Sequence, residues 1–194
     1  MLKTAFLFLV TLSIAVAGGA GSAWYALQLQ EGVGAVQVGN WTTMPEYGTV
    51  DADPYSQARF AREGALALGQ SEGIVFFTEF DAAGARLRRD CAYRVEGAVP
   101  PARFWTLYVA GGDRQVLPPI GRRTPAIHSQ RLLRNTDGSF AIAVGPHAMP
   151  GNWLPVAGQG PVFLVMTLYD TAVASNADIA RMELPQVLRT DCDA

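Results

Sequence analysis

An uncharged, mostly apolar run from Thr4 to Gln30 constrains this chain more than any other feature. Its core is Ala5-Phe6-Leu7-Phe8-Leu9-Val10-Thr11-Leu12-Ser13-Ile14-Ala15-Val16-Ala17; small residues follow, then Trp24-Tyr25-Ala26-Leu27. About 20 such residues suffice for a helix to cross the hydrocarbon of a bilayer. Lys3 and the α-amino group precede the run and Glu31 follows it. The positive-inside rule then keeps the N-terminus in the cytoplasm and carries the body across. Trp24 and Tyr25 suit the outer interface. A second fate stays open, because Ala15-Val16-Ala17 and Gly21-Ser22-Ala23 both read as small-x-small signal cleavage sites. Either fate exports the remainder.

Export gives the two cysteines a meaning. Cys91 and Cys192 lie far apart, with no CxxC and no histidine at ligand spacing. Zinc and thioredoxin-type chemistry are therefore disfavoured. In an oxidising compartment an even count of two predicts a Cys91–Cys192 disulfide. Its loop of roughly 100 residues would contribute up to about 4.7 kcal/mol on the chain-entropy model.

Beyond the apolar run, Gly32 to Tyr47 reads as a tether, with Trp41 docking on the body. Asp53-Pro54 is an N-cap followed by a first-turn proline. Ala58, Ala61, Ala65 and Leu68 continue at helical spacing, which predicts one helix over about 53–68 with a small apolar face for close packing. The rest reads as β. Ile74–Phe80, Cys91–Glu96, Phe104–Val109 and Val162–Tyr169 are strand-like, and Asp81-Ala82-Ala83-Gly84 is a turn. Asn135-Thr136-Asp137-Gly138 predicts a hairpin between Arg131-Leu132-Leu133 and Phe140–Val144. The expected class is mainly β: an antiparallel sandwich or jelly-roll-like body with one helix, preceded by a transmembrane or signal helix.

Four elements occur in a telling order: Trp105-Thr106-Leu107-Tyr108, Asn135-Thr136-Asp137-Gly138-Ser139, Asn152-Trp153-Leu154-Pro155, and a strand ending Leu168-Tyr169. Over roughly residues 85–185 the chain resembles the DUF1214 family of bacterial proteins, in particular its short, membrane-anchored members lacking a DUF1254 domain. The resemblance implies a β-rich fold and no established reaction or cofactor. The domain plan is then an anchor or signal over 1–30, a tether over 31–50 and a DUF1214-like domain over 51–194. The expected location is the bacterial inner membrane with a periplasmic C-terminal domain, or, after cleavage, the periplasm or the exterior.

Chemistry is sparse. A net charge of -2 and a pI near 5.6 give no footprint for nucleic acid. His128 and His147 sit in no metal-binding pattern, and no catalytic residues, metal ligands or cofactor motif emerge. His128-Ser129 with Asp137 as orienter makes a weak hydrolytic set without a nucleophile elbow. Asp51, Asp53, Asp137 and Glu183 make an equally weak carboxylate set. Two local groups of arginines, at 86, 88, 89 and 94 and at 122, 123, 131 and 134, could meet anionic glycans or headgroups, or could form a solvated face.

The candidate ligand-binding residues are Asn152, Trp153 and His147, on the Pro-rich stretch 146–155. Asn152 can donate and accept, and Trp153 can stack on a sugar or apolar ligand. The competing reading, which the sequence favours, has Trp153 plugging one end of the sandwich and Asn152 pinning the loop. Two functions follow. One is a non-catalytic, membrane-tethered envelope module with a glycan or protein partner. The other is an exported enzyme acting on an envelope glycan or small molecule near Asn152-Trp153.

Overall fold

A computed structural model describes residues 2–28, 34–46, 48–49, 52–63, 68–69, 71–112, 114–172 and 179–192. The apolar run forms one helix, α1 (Leu2–Gln28). Its span Leu2–Tyr25 is none of it buried against the rest of the chain. At 1.5 Å per residue it reaches about 36 Å, enough to cross the hydrocarbon core. The hydroxyls inside it are satisfied locally: Thr11 Oγ1 donates to the carbonyls of Leu7 and Phe8, and Ser22 Oγ to that of Gly19. A lipid-exposed helix requires this, since hydrocarbon offers no partner.

The body is two sheets. The larger contains β1 (Val36–Val38), β2 (Trp41–Thr43), β3 (Gly73–Thr78), β5 (Phe104–Ala110), β6 (Ala126–His128) and β9 (Phe163–Tyr169), in the spatial order β1-β2-β3-β9-β5-β6. The smaller contains β4 (Cys91–Gly97), β7 (Phe140–Gly145), β8 (Asn152–Pro155) and β10 (Gln186–Cys192), in the order β10-β4-β7-β8. The sandwich-like class expected from the sequence is the observed one.

The core lies between the sheets. Alternation places Ile74 and Phe76 of β3, Trp105, Leu107 and Val109 of β5, and Leu164, Met166 and Leu168 of β9 on the inner side of the larger sheet. They meet Tyr93, Val95, Ile142, Val144, Leu154 and Val187 of the smaller one. Trp105 and Phe140 stack across the gap with ring centroids 5.1 Å apart. β3 and β9 run so close at one end that glycine is required. A Cβ on Gly73 would stand 2.2 Å from the Leu168 carbonyl oxygen.

Several local expectations need correction. α2 (Pro54–Glu63) starts where predicted, with the Ser56 N–H donating to Asp53 Oδ1. Ala58 and Ala61 are exposed, so they form no packed face; residues 64–67 of the expected helix lie outside the described residues. The stretch read as tether contributes the β1–β2 hairpin to the larger sheet. Trp41 there is 1% exposed and donates its indole N–H to the Pro185 carbonyl.

The hairpin around Asn135 has only one strand arm. Ser129–Arg131 is a 3-10 turn and Leu132-Leu133 joins no strand. The antiparallel rule also breaks once, because β7 and β8 are parallel. The segment Pro146–Gly151 carries the chain back along β7 before β8 begins. Gly151 after Pro150 has φ of 85°, the left-handed geometry that glycine adopts without strain.

Candidate ligand-binding face

The smaller sheet positions the candidate residues. In β8 the side chains alternate, so Asn152 and Leu154 point inward and Trp153 outward. Asn152 is buried and fully employed. Its Oδ1 accepts from the Leu133 N–H at 2.8 Å, and its Nδ2 donates to the carbonyls of Leu133 (2.8 Å) and Ala141 (3.0 Å). It supplies Leu133 with the partners a strand would have supplied, which explains why that arm needs no ladder. Asn152 thus pins the backbone of Leu133 and Ala141 rather than that of its own loop.

Trp153 does not plug the sandwich. It is half-buried on the outer face, donates its indole N–H to the Gly145 carbonyl at 3.1 Å, and carries the Arg123 guanidinium 5.4 Å from its ring centroid. His147 is exposed on the return loop and is no part of this row.

The outer face of the sheet has a consistent composition. Arg94 and Glu96 of β4 stand beside Ala143 and Ala141 of β7, and Ala143 stands beside Trp153 of β8. Arg94 and Glu96 form an ion pair at 2.8 Å. Next to this face is a cleft of about 950 Å³, which Arg94, Glu96 and Ala141 line together with Asn40, Glu183 and Gln186. Trp153 and His147 are outside that lining.

The weaker chemical sets do not assemble. Asp137 accepts from the N–H and hydroxyl of its neighbour Ser139, which hold its carboxyl below the usual carboxylate range. Ser129 Oγ accepts from the Trp105 N–H. His128 leans on Phe104 with ring centroids 5.5 Å apart, and its Nδ1 is buried with no hydrogen-bond partner among the described residues. Asp53 caps α2, and Asp51 lies outside the described residues. Among the described residues, no three His, Cys, Asp or Glu side chains gather as a metal site.

A buried carboxylate escaped the sequence reading. Asp81, taken there as a turn residue, is 1% exposed and ion-paired to Arg189 Nε at 2.8 Å. Its Oδ1 accepts from the N–H groups of Ala83 and Ala85, and its carbonyl accepts from Asn40 Nδ2. It therefore ties the β1–β2 turn and β10 to the loop after β3. Arg189 lies 108 residues from Asp81, and no local pattern could have shown the contact. The predicted disulfide is present: Cys91 and Cys192 face each other across β4 and β10, with Cα atoms 4.0 Å apart.

Two packed sheets, a disulfide joining neighbouring strands and an N-terminal apolar helix define a β-sandwich protein of the kind suited to an oxidising compartment. The chain belongs to the DUF1214 family, described as a protein of unknown function, with the match covering residues 72–173. Its fold is shared with the crystal structure of the VPA0106 protein from Vibrio parahaemolyticus. That pair is 20% identical with a TM-score of 0.57, over 72% of this chain and 36% of that one. An uncharacterised protein from Burkholderia cenocepacia matches at 16% identity and a TM-score of 0.44, over 94% of this chain and 52% of that one. The chain thus spans about a third and about half of those two proteins. A comparison with curated proteins returned no match.

Proposed function

We propose that this protein is an exported envelope module, held at the membrane by α1, that binds a partner rather than converting a substrate. Export is supported by the exposed apolar helix together with the Cys91–Cys192 bond. Residues 1–30 act as the anchor and the β-rich body stands in the periplasm. The apolar run continuing past both small-x-small sites favours retention over cleavage. A periplasm-dependent reporter fused after Ala194 is expected to be active. Activity of a cytoplasm-dependent reporter there contradicts the topology, and a mature N-terminus at Gly18 or Trp24 contradicts the anchor.

The observation that carries the binding reading is the composition of the cleft and the face beside it. The polar side chains of the cleft are amides, the Ser139 hydroxyl, one arginine–carboxylate pair and Glu183, set among apolar side chains, with no histidine in the lining. Such a surface suits recognition of an extended partner better than acid–base chemistry. A photoreactive residue at the exposed position Gln186 is expected to crosslink a glycan or protein of the envelope in intact cells. Absence of any crosslinked species contradicts this reading.

A further inference from the structure

Three adjacent strands of the smaller sheet place Arg94, Ala143 and Trp153 in one row across its outer face. Arg94 is the register partner of Ala143, and Ala143 is that of Trp153. Two inter-strand steps separate the Arg94 and Trp153 backbones by about 10 Å. The side chain between them is a single methyl. In the next outward row Glu96 stands opposite Ala141, again a methyl. The face is therefore a trough at Ala143, between Arg94 and Trp153, that continues over Ala141 beside Glu96, where β8 has no residue in register.

A second, independent observation concerns charge. The Glu96 carboxylate is occupied by Arg94. Arg123, whose guanidinium lies over the Trp153 ring, has no carboxylate partner among the described residues. An arginine stacked on an indole is held in orientation while its N–H edges stay available for a bidentate acceptor. Arg123 is thus a charge beside the row without a carboxylate partner among the described residues. A third observation concerns continuity, because Arg94, Glu96 and Ala141 belong both to this face and to the adjoining cleft. A chain-like ligand lying over Ala143 has an open course into it.

These features select among polymers. A peptide adding a strand would use the backbone at a sheet edge, whereas the trough offers side chains on a face. A bilayer presents a flat surface, which would rest on the flanking side chains and leave Ala143 uncontacted. A polyhydroxylated strand finds planar guanidinium, carboxylate and amide groups for its hydroxyls.

We infer that the trough binds an extended, carboxylate-bearing saccharide, with Arg123 on Trp153 as the carboxylate contact and Ala143 as the floor. This rests on the binding-module reading and names the ligand class for it. The full-length protein in detergent is titrated calorimetrically with oligomers of galacturonate and of mannuronate, and with neutral galactose and mannose oligomers of equal length.

An acidic oligomer is expected to bind at least tenfold more tightly than its neutral counterpart, and more weakly as salt rises. Arg123→Gln, at an exposed position, and Ala143→Leu, at a half-buried one on the outer face, are each expected to lower that affinity at least tenfold while leaving the unfolding midpoint in place. No binding of either acidic oligomer, equal affinity for acidic and neutral chains, or binding indifferent to Ala143→Leu would overturn the inference. A protein crosslinked at Gln186 without acidic-oligomer binding removes the saccharide and leaves the module; no crosslink and no binding removes both.

Discussion

The two faces of the smaller sheet are built from the same strands and differ in almost every respect. Inward, the register row Tyr93–Val144–Leu154 is 2%, 3% and 1% exposed, and its side chains fill the space between the sheets. Outward, the row one residue along, Arg94–Ala143–Trp153, alternates a charge, a methyl and an aromatic. The pleat alone separates them, because successive side chains point to opposite sides. The inner row is chosen by volume. The outer row sets a methyl between a charge and an aromatic, outside the packed core.

The comparison can be broken first at the inner face. Trp105→Ala removes a fully buried indole stacked on Phe140 and should cost about 3–5 kcal/mol in urea unfolding. Asp81→Ala leaves the N–H groups of Ala83 and Ala85 and the Arg189 guanidinium without this acceptor and should cost about 2–4 kcal/mol. Less than about 1 kcal/mol for either would remove these residues from the account of what holds the sheets together.

Next is the Cys91–Cys192 bond, whose partners are 101 residues apart. Replacing both cysteines by alanine should lower stability by about 2–5 kcal/mol, chiefly by freeing the unfolded chain. An unchanged midpoint would mean that β10 is held by its ladder and the Asp81–Arg189 pair alone.

A smaller effect is pH-dependent. Burial raises the hydroxyl pKa of Tyr93 and of Tyr108. The unfolded chain therefore loses these protons first. Stability is fully present below the ordinary tyrosine value near 10 and falls as pH rises through the folded values. Tyr108→Phe should shallow that alkaline decline, and an identical slope would show that other groups cause it.

The strands that face the core were readable because apolar alternation and burial are the same physical fact. β3, β4, β5 and β7 carry it, and β9 was readable instead as a continuous apolar run buried on both faces. The disulfide was readable from an even count in an exported chain. Three things were not.

The pair Leu132-Leu133 looked like a strand arm, but Asn152, 19 residues from Leu133, bonds the Leu133 backbone in place of a ladder. β10 carries no strand signal in the sequence, because Gln186–Cys192 has only one buried side chain, Val187, and is held by β4 and the disulfide. The Arg94–Ala143–Trp153 row depends on register across three strands, one pair of them parallel, and no local sequence pattern fixes that register. For the same reason the sequence reading puts Trp153 at the end of the sandwich, whereas the register puts it on the outer face of the sheet.

The division between the faces is tested most directly at two adjacent residues of β8, by urea unfolding of Leu154→Ala beside Trp153→Ala. Leu154 is inward and should cost about 2–5 kcal/mol. Trp153, although far larger, is outward and half-buried, and should cost only about 1–2 kcal/mol from its partial burial and one hydrogen bond. A loss at Trp153 equal to or greater than that at Leu154 would contradict the account, because the indole would then be part of the core rather than a wall of the outer face.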